Sequence, residues 1–420
     1  MKKFDLGHMG FSKKKDNDPK DAQEQEDEEV DASEFEEEDV LPVKVKNRRP
    51  KEDNFTQQHL KAWNPVYTPR VVIPIYLLIA IVFVIVGGCL LAEANTVSEL
   101  TIWYDECATE APTGSNSWSD MPQKYWYQSY RRHKNYKTSP QWRYSDDPTD
   151  DSSEKGTCHI RFTTPESFKK TVFVNYMLEN FSANHRRYVL SFSEDQIRGK
   201  DASYTDIHDG AGINCKILSR NSEGKLYYPC GLIANSLFND TFPDELINVT
   251  DTSRNYPLTN KNINWKSDRT RFKKTTYNHT KIAPPPYWLK KFPDGYNETN
   301  VPDINDWEEF QNWMRPAAFD KFAKLIRKNS DDDLPAGEYQ IDIGLHWPVR
   351  QFNGKKGVYI THGSSIGSRN YFLGTVYLIG GCLCAAFALV FLLFWLISGR
   401  KVADTRYLSW NQTSRGTRPL

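Results

Sequence analysis

The chain has 420 residues, 54 of them basic and 54 acidic, for a formal net charge of +0. That balance gives no electrostatic reason to expect a nucleic-acid partner. With 12 Trp, 22 Tyr and 22 Phe, there is enough apolar material for a folded domain of roughly 250 residues, which excludes a wholly disordered chain.

Charge is nonetheless segregated along the chain. Residues 1–70 form a polar tail, acidic over 21–39 and then basic over 44–51, "KVKNRRPK". The acidic run has too little apolar surface to fold and is expected to be disordered. Within it, Ser33 with Glu36 resembles an acid-directed kinase site. The basic run is expected to help fix topology and to touch anionic headgroups or a partner's cytosolic surface.

Residues 71–92, "VVIPIYLLIAIVFVIVGGCLLA", contain no charged side chain, and neither do residues 371–398, "YFLGTVYLIGGCLCAAFALVFLLFWLIS". Each exceeds the ~20 residues that cross a ~30 Å hydrocarbon core as a helix. Pro74 is expected in the first turn of the first span, where its missing N–H is harmless. Lys44, Lys46, Arg48, Arg49, Lys51, Lys61 and Arg70 precede this span, and Arg400, Lys401 and Arg406 follow the second. The positive-inside rule then puts both termini in the cytosol, including a short tail over 399–420. Residues 93–370 face the lumen or the cell exterior, although Lys355, Lys356 and Arg369 stand near the second span on that side. A charge inside a span would have suggested a transport path, and there is none. Gly87 and Gly88, and the pair Gly381 and Ala385 with Gly374, Gly380 and Ala386, are expected to pack against a partner's helix.

The seven cysteines divide between spans and loop. Cys89, Cys382 and Cys384 lie in the spans as small apolar side chains. Cys107, Cys158, Cys215 and Cys230 lie in the loop, and four cysteines allow three pairings. Sequential pairing, Cys107–Cys158 and Cys215–Cys230, closes the shortest loops and is preferred. Five glycosylation triplets share the loop, at Asn180, Asn239, Asn248, Asn278 and Asn297. Two more, at Asn54 and Asn411, fall in the tails and are expected to carry no glycan. Four cysteines beside five acceptors point to an oxidising, glycosylating compartment.

Strand periodicity runs through the loop. "KKTVFVNYMLENF" puts Val172, Val174, Tyr176 and Leu178 on one face, and "GEYQIDIGLHWPV" does so for Tyr339, Ile341 and Ile343. "GKKGVYITHG" is a third strand, linked by the turn "FNGKK". Helices are predicted over "DINDWEEFQNWMR", with Trp307, Phe310, Trp313 and Met314 on one face, and over "AAFDKFAKLIRK", with Phe319, Phe322, Leu325 and Ile326. "IAPPPYW", around Pro284–Pro286, is expected to be extended. The fold class is an α+β membrane protein. Two transmembrane helices flank a large, mainly antiparallel, sandwich-like β ectodomain with short helices, and the tails are disordered.

No constellation for catalysis, cofactor binding or metal ligation stands out, and neither a phosphate-binding loop, an H-E-x-x-H run nor a Cys/His pair at zinc-site spacing is present. His185 with Arg186 and Arg187 is a candidate anion clamp, or a surface ion-pair cluster. The pairs Glu194/Asp195 and Glu308/Glu309 have the residue types of a glycosidase, but nothing in the sequence places them in a cleft. His346 and Trp347 are expected in the core.

The blocks "NHRRYVLSFSEDQIRG", "YYPCGLIANSLFNDTF", "DWEEFQNWMRPAAFDK", "LPAGEYQIDIGLHWPV" and "GSRNYFLGTVYLIGG" resemble the non-catalytic β-subunits of type IV P-type ATPase lipid flippases. This is the ligand-effect modulator, or cell-division-control-fifty, family. The cytosolic block "KNRRPKEDNFTQQHLKAWNP" fits as well, and the acidic tail is most similar to the budding-yeast type. The resemblance implies a heterodimer with a catalytic ATPase subunit that moves phospholipid to the cytosolic leaflet. It implies a subunit needed for exit from the endoplasmic reticulum towards the Golgi, endosomes and plasma membrane, and for the complex's stability and activity. It also implies the same two disulfides and a glycan at Asn239. The alternatives carried beside it are a subunit of a two-span, large-ectodomain ion channel and a membrane-anchored ectoenzyme.

Overall fold

The computed structural model describes residues 67–114, 116–148, 154–364 and 367–398, together with Phe55 and Gln58. The expectations for the acidic and basic runs, Ser33, Asn54, Asn411 and the C-terminal tail fall outside those residues.

Two helices, Pro69–Ala94 and Phe372–Ser398, are long and apolar enough to cross a membrane. The first begins earlier than its apolar run suggests. Thr68 is extended, with φ −93° and ψ 152°, and Pro69 follows it at the first helical position. There the fixed φ of proline suits the helix and no N–H is lost. Pro74 therefore lies inside the helix rather than in its first turn, where it removes one backbone hydrogen bond.

The two helices pack on each other through small residues. The buried positions are Ile73, Ala80, Gly87 and Ala94 on the first and Gly374, Gly381 and Ala388 on the second, each seven residues from the last. A seven-residue repeat keeps one narrow seam facing its partner along paired helices. The seam leaves no room: a Cβ at Gly87 would sit 3.0 Å from the Gly374 carbonyl oxygen, and one at Gly381 would sit 2.9 Å from Val84. The expectation that these glycines meet another protein's helix is corrected for Gly87, Gly374 and Gly381, which pair the chain's own spans. Gly88, Ala385 and Ala386 remain exposed.

Between the helices lie the strands β1 (Glu99–Trp103), β2 (Ser119–Asp120), β3 (Trp126–Ser129), β4 (Gln141–Ser145), β5 (Thr157–Thr164), β6 (Val172–Glu179), β7 (Leu226–Tyr227), β8 (Glu245–Asn248), β9 (Tyr256–Pro257), β10 (Ile282–Ala283), β11 (Phe322–Asn329), β12 (Gly337–Gly344) and β13 (Lys355–His362). They form a five-stranded sheet, β11-β6-β13-β1-β3, and a six-stranded sheet, β2-β4-β5-β12-β8-β9, both antiparallel. A short parallel pair, β10-β7, accompanies them. Alternation does what period two requires. Val172, Val174, Tyr176 and Leu178 of β6 and Tyr339, Ile341 and Ile343 of β12 are buried, and residues of both sheets meet in one hydrophobic core.

The helix predicted over "AAFDKFAKLIRK" is instead strand β11, antiparallel to β6. A β-bulge between Leu325 and Arg327 explains the misleading pattern. One extra residue puts two apolar neighbours, Leu325 and Ile326, side by side, which mimics helical spacing. Phe319, assigned to the same helical face, is 75% exposed. The turn "FNGKK" exists, with Asn353 at φ 53°, but it does not make a hairpin. β12 and β13 belong to different sheets, so the turn is a crossover between layers. "DWEEFQNWM" does form a short helix, Glu308–Trp313, with Phe310, Trp313 and Met314 buried. Lys324 caps its end by donating to the carbonyl oxygens of Asn312 at 2.7 Å, Trp313 at 3.2 Å and Arg315, the partners a helix C-terminus leaves unpaired. Residues Ile282 to Pro285 are extended and buried, packed as a rigid arm.

Candidate functional site

The four loop cysteines form two disulfides, Cys107–Cys158 and Cys215–Cys230. The first ties the segment after β1 to β5 and so joins the two sheets. The second, with Ala202 and Ile207, makes a small separate core. Cys230 is anchored further, because its N–H donates to Gln196 at 2.9 Å.

The segment after Cys230 leads to a buried charge network. Gly231 adopts φ 95°, and a Cβ there would lie 2.2 Å from the Ser191 carbonyl oxygen, so only glycine fits. Phe238 stacks on Tyr176 at 4.1 Å. Asp240 is buried, and its carboxylate accepts the N–H groups of His346 and Trp347, each at 2.7 Å, and the Tyr104 hydroxyl at 3.0 Å. Lys356, fully buried, reaches it at 3.0 Å, stands 3.7 Å from Glu154, and donates to the Trp347 carbonyl at 2.8 Å. Burial, the nearby Asp240 charge and the bond to it push the Tyr104 phenol well above its ordinary value. The neighbouring Asp105 is buried with one carboxylate oxygen unpartnered, and burial raises it to about 6.

The five acceptor asparagines differ in availability. Asn239, Asn278 and Asn297 are exposed, and their side-chain amide nitrogens donate no hydrogen bond among the described residues. Asn248 is half-buried, and its side-chain oxygen accepts the N–H groups of Thr250 and Asp251 at 3.0 Å. Asn180 is exposed, but its amide nitrogen, the atom a glycan would occupy, already donates to the Phe352 carbonyl at 2.8 Å and to that of Asn353 at 3.3 Å.

The carboxylates singled out as possible acid–base groups are taken up by the fold. Glu194 binds Arg271 and Arg198, and Asp195 binds Lys200 at 2.7 Å. Glu308 accepts the N–H groups of Asn262 and Asn264, and Glu309 pairs with Arg327. His185, Arg186 and Arg187 are exposed at the start of a one-turn helix, with no buried side chain beside them to build an anion site. Trp347 is buried as expected, and His346 half-buried.

One arrangement with the look of catalysis meets only in the fold, and a second is a motif in the sequence itself. Ser145, His159 and Asp342 lie on adjacent strands of the six-stranded sheet and are chained by contacts of 2.9 Å and 2.7 Å. A serine nucleophile also needs a substrate cleft and oxyanion donors. These three residues instead occupy the face opposite the core and line neither of the two grooves described below. The run Gly363-Ser364-Ser365-Ile366-Gly367 has G-x-S-x-G spacing, which requires a strand turning directly into a helix. Here β13 ends at His362 and the next helix begins at Phe372.

The outer face of the five-stranded sheet carries two grooves. A groove of about 540 Å³ crosses it, lined by Phe173, Asn175, Tyr359, Thr361 and Leu325. A second of about 340 Å³ continues from Ala323 and Leu325 to Trp265, stacked under Arg315 at 3.8 Å. At the foot of this sheet a polar lock joins strands to spans. Tyr359 donates to Glu99 at 2.9 Å, Arg369 stands 3.9 Å from Glu99 and donates to Tyr371, and Tyr371 donates to Asn95 at 2.9 Å. Burial raises the Glu99 carboxyl, and the Tyr359 bond and Arg369 offset part of that rise. Among the described residues no group of three or more His, Cys, Asp or Glu could hold a metal ion.

Two helices long and apolar enough to cross a membrane thus enclose a sheet-rich domain tied by two disulfides. The model of the LEM3 (ligand-effect modulator 3) family / CDC50 family matches residues 90–401. The chain belongs to that family. It is 65% identical over 420 residues, 98% of this chain and 100% of the relative, to the phospholipid-transporting ATPase accessory subunit LEM3 of Saccharomyces cerevisiae. It is 37% identical over 383 residues, 87% of this chain and 92% of the relative, to the phospholipid-transporting ATPase accessory subunit CDC50 of Chaetomium thermophilum. To the cell cycle control protein 50A of Bos taurus it is 32% identical over 370 residues, covering 83% and 89%. The family match begins inside the first span and ends just past the second, so in this LEM3/CDC50 chain it contains both disulfides and the whole buried network. Sequence reasoning missed that network. Its one signal is a charged Asp240 between the apolar Phe238 and Phe242.

Proposed function

We propose that this chain is the non-catalytic accessory subunit of a phospholipid-transporting ATPase of the type IV P-type class, and that the two form a heterodimer. The observation that carries this is the family match over residues 90–401, with 65% identity to a relative of that name over nearly the whole chain. The catalytic partner hydrolyses ATP and moves phospholipid from the outer or lumenal leaflet to the cytosolic one. The accessory subunit supports its stability, its activity and its exit from the endoplasmic reticulum to the Golgi, endosomes and plasma membrane. The carboxylate pairs spent on internal ion pairs favour this over an ectoenzyme.

In this reading residues 1–70 and 399–420 are cytosolic, 71–92 and 371–398 span the membrane, and 93–370 form the lumenal or extracellular domain. Basic flanks outside both spans and two disulfides between them favour that orientation. Glycans sit on Asn239, Asn278 and Asn297, then Asn248. Asn180 is the least available, since its amide nitrogen is already engaged.

The test is affinity purification of the full chain from native membranes in a mild detergent, followed by mass spectrometry. A P-type ATPase catalytic subunit is expected in stoichiometric yield. Recovery of the folded chain with no such subunit, in a preparation where other membrane complexes survive, would overturn the proposal.

A further inference from the structure

Both spans join the same end of the five-stranded sheet. β1 begins a few residues after Ala94, β13 runs back towards Phe372, and Glu99 lies opposite Thr361. The antiparallel register brings three more strand ends to this level: Ser129 of β3 opposite Glu99, Val172 of β6 opposite His362, and Asn329 of β11 opposite Val172. The segments beyond those ends form a rim around the points where the chain enters the spans.

Charge on this rim is divided. On the β6–β11 side the cations are answered. Lys169 pairs with Asp333 at 2.9 Å, and the Lys170 N–H donates to the same carboxylate at 2.8 Å. On the β3 side residues 130–137 read Tyr-Arg-Arg-His-Lys-Asn-Tyr-Lys, without an acid. Arg131, Arg132, Lys134 and Lys137 are all exposed, and none of the four side chains has an ion pair or hydrogen bond among the described residues.

The loop that carries them is held at the level of the spans. Glu166 accepts the N–H of Arg131 at 2.7 Å and that of Arg132 at 2.9 Å, and the Ser98 hydroxyl accepts the Arg131 N–H at 3.1 Å. Tyr136 packs on Tyr130 at 5.8 Å, and Tyr130 on Phe168 at 6.1 Å. Ser98 lies four residues beyond Ala94, a reach of at most about 14 Å even if fully extended. Arg131 and Arg132 thus stand within headgroup reach of the first span, and Lys134 and Lys137 follow on the same loop, on the side where the positive-inside rule requires no cation. Facing water they would gain nothing, whereas beside anionic phosphates each is worth roughly fivefold in association.

We propose that residues 130–137 are a headgroup-binding element on the ectodomain side of the membrane, with Arg131, Arg132, Lys134 and Lys137 contacting the phosphates of anionic phospholipids. The inference rests on the two-span topology given above and not on the identity of the ATPase. It gives the accessory subunit a contact with lipid beside the complex, on the leaflet from which the proposed transport begins.

Hydrogen–deuterium exchange of the full chain in nanodiscs tests it, with and without its co-purified partner. Discs of phosphatidylcholine alone are compared with discs containing about one-third phosphatidylserine, enough to build a negative surface. Amides of residues 130–137 should exchange at least about fivefold more slowly in the anionic discs. Raised salt should cancel the difference by screening, and so should combined Arg131→Gln, Arg132→Gln, Lys134→Gln and Lys137→Gln. A distal Lys155→Gln control should keep it. Equal exchange in the two discs overturns the proposal, as does equal protection by inorganic phosphate in phosphatidylcholine discs, which would mark a site for soluble anions. Protection that follows the partner subunit regardless of lipid also overturns it and assigns the loop to a protein contact. The chain alone suffices for the main comparison, so its outcome is independent of whether an ATPase co-purifies.

Discussion

Lys356, at the start of β13, and the quartet Arg131, Arg132, Lys134 and Lys137, beyond the end of β3, stand at opposite ends of one sheet. Lys356 is fully buried and answered by Asp240, Glu154 and a backbone carbonyl. The quartet is exposed and unanswered among the described residues. A buried ion needs every partner the fold can supply, because desolvation costs several kcal/mol. An exposed one costs the fold almost nothing and is left free for something outside the chain. Interior charge here serves the chain's own architecture, and rim charge faces outward.

The largest expected effect is at the buried end. Asp240→Ala removes the acceptor of two backbone N–H groups and the Tyr104 hydroxyl, and strands Lys356 in the core. It should cost about 3–5 kcal/mol, seen as loss of a cooperative melting transition of the purified chain. An unaltered melt would show that the network is not structural.

The bridges come next and can be compared with each other. Cys107–Cys158 closes 51 residues and joins the sheets, whereas Cys215–Cys230 closes 15 within one loop module. Chain entropy gives the first about 4 kcal/mol and the second about 3. Paired Cys→Ser substitutions should therefore lower stability in that order, measured by denaturant unfolding in detergent, and a reversed order would contradict the sheet-joining role of the first.

Asp105 sharpens the contrast with the opposite sign. Its folded-state value of about 6 lies above the ordinary 3.8. The folded state therefore holds the proton more tightly than the unfolded state does, and stability falls as pH rises between those values. Above about pH 6 the buried carboxylate is a net cost, so Asp105→Asn should stabilise the neutral-pH protein by up to about 3 kcal/mol. The gain should vanish below about pH 4, which a melting series across pH would reveal. The smallest effect is at the rim. Neutralising the quartet should change stability by less than about 0.5 kcal/mol, whatever it does to lipid contact.

Much of this was legible from periodicity and count. β6 and β12 follow alternation because both carry a clean apolar face into one core. The spans are visible because lipid tolerates no charge. What failed did so for physical reasons. β11 hides behind a bulge that turns period two into a helical pattern. The FNGKK turn fits a hairpin locally, and only the packing of two sheets reveals the crossover. Gly87, Gly374 and Gly381 announce close helix approach, but sequence does not say whose helix approaches. Asp240, Glu154 and Lys356 are far apart in the chain and meet only through topology, so no local window could show that a charge was buried and answered.

The measurement that bears most directly on the accessory-subunit reading is uptake of a fluorescent phospholipid in cells that express the catalytic subunit with or without this chain. The reading predicts that uptake, and the catalytic subunit's departure from the endoplasmic reticulum, are lost without the chain and restored by it. Undiminished uptake and normal departure in its absence would contradict it.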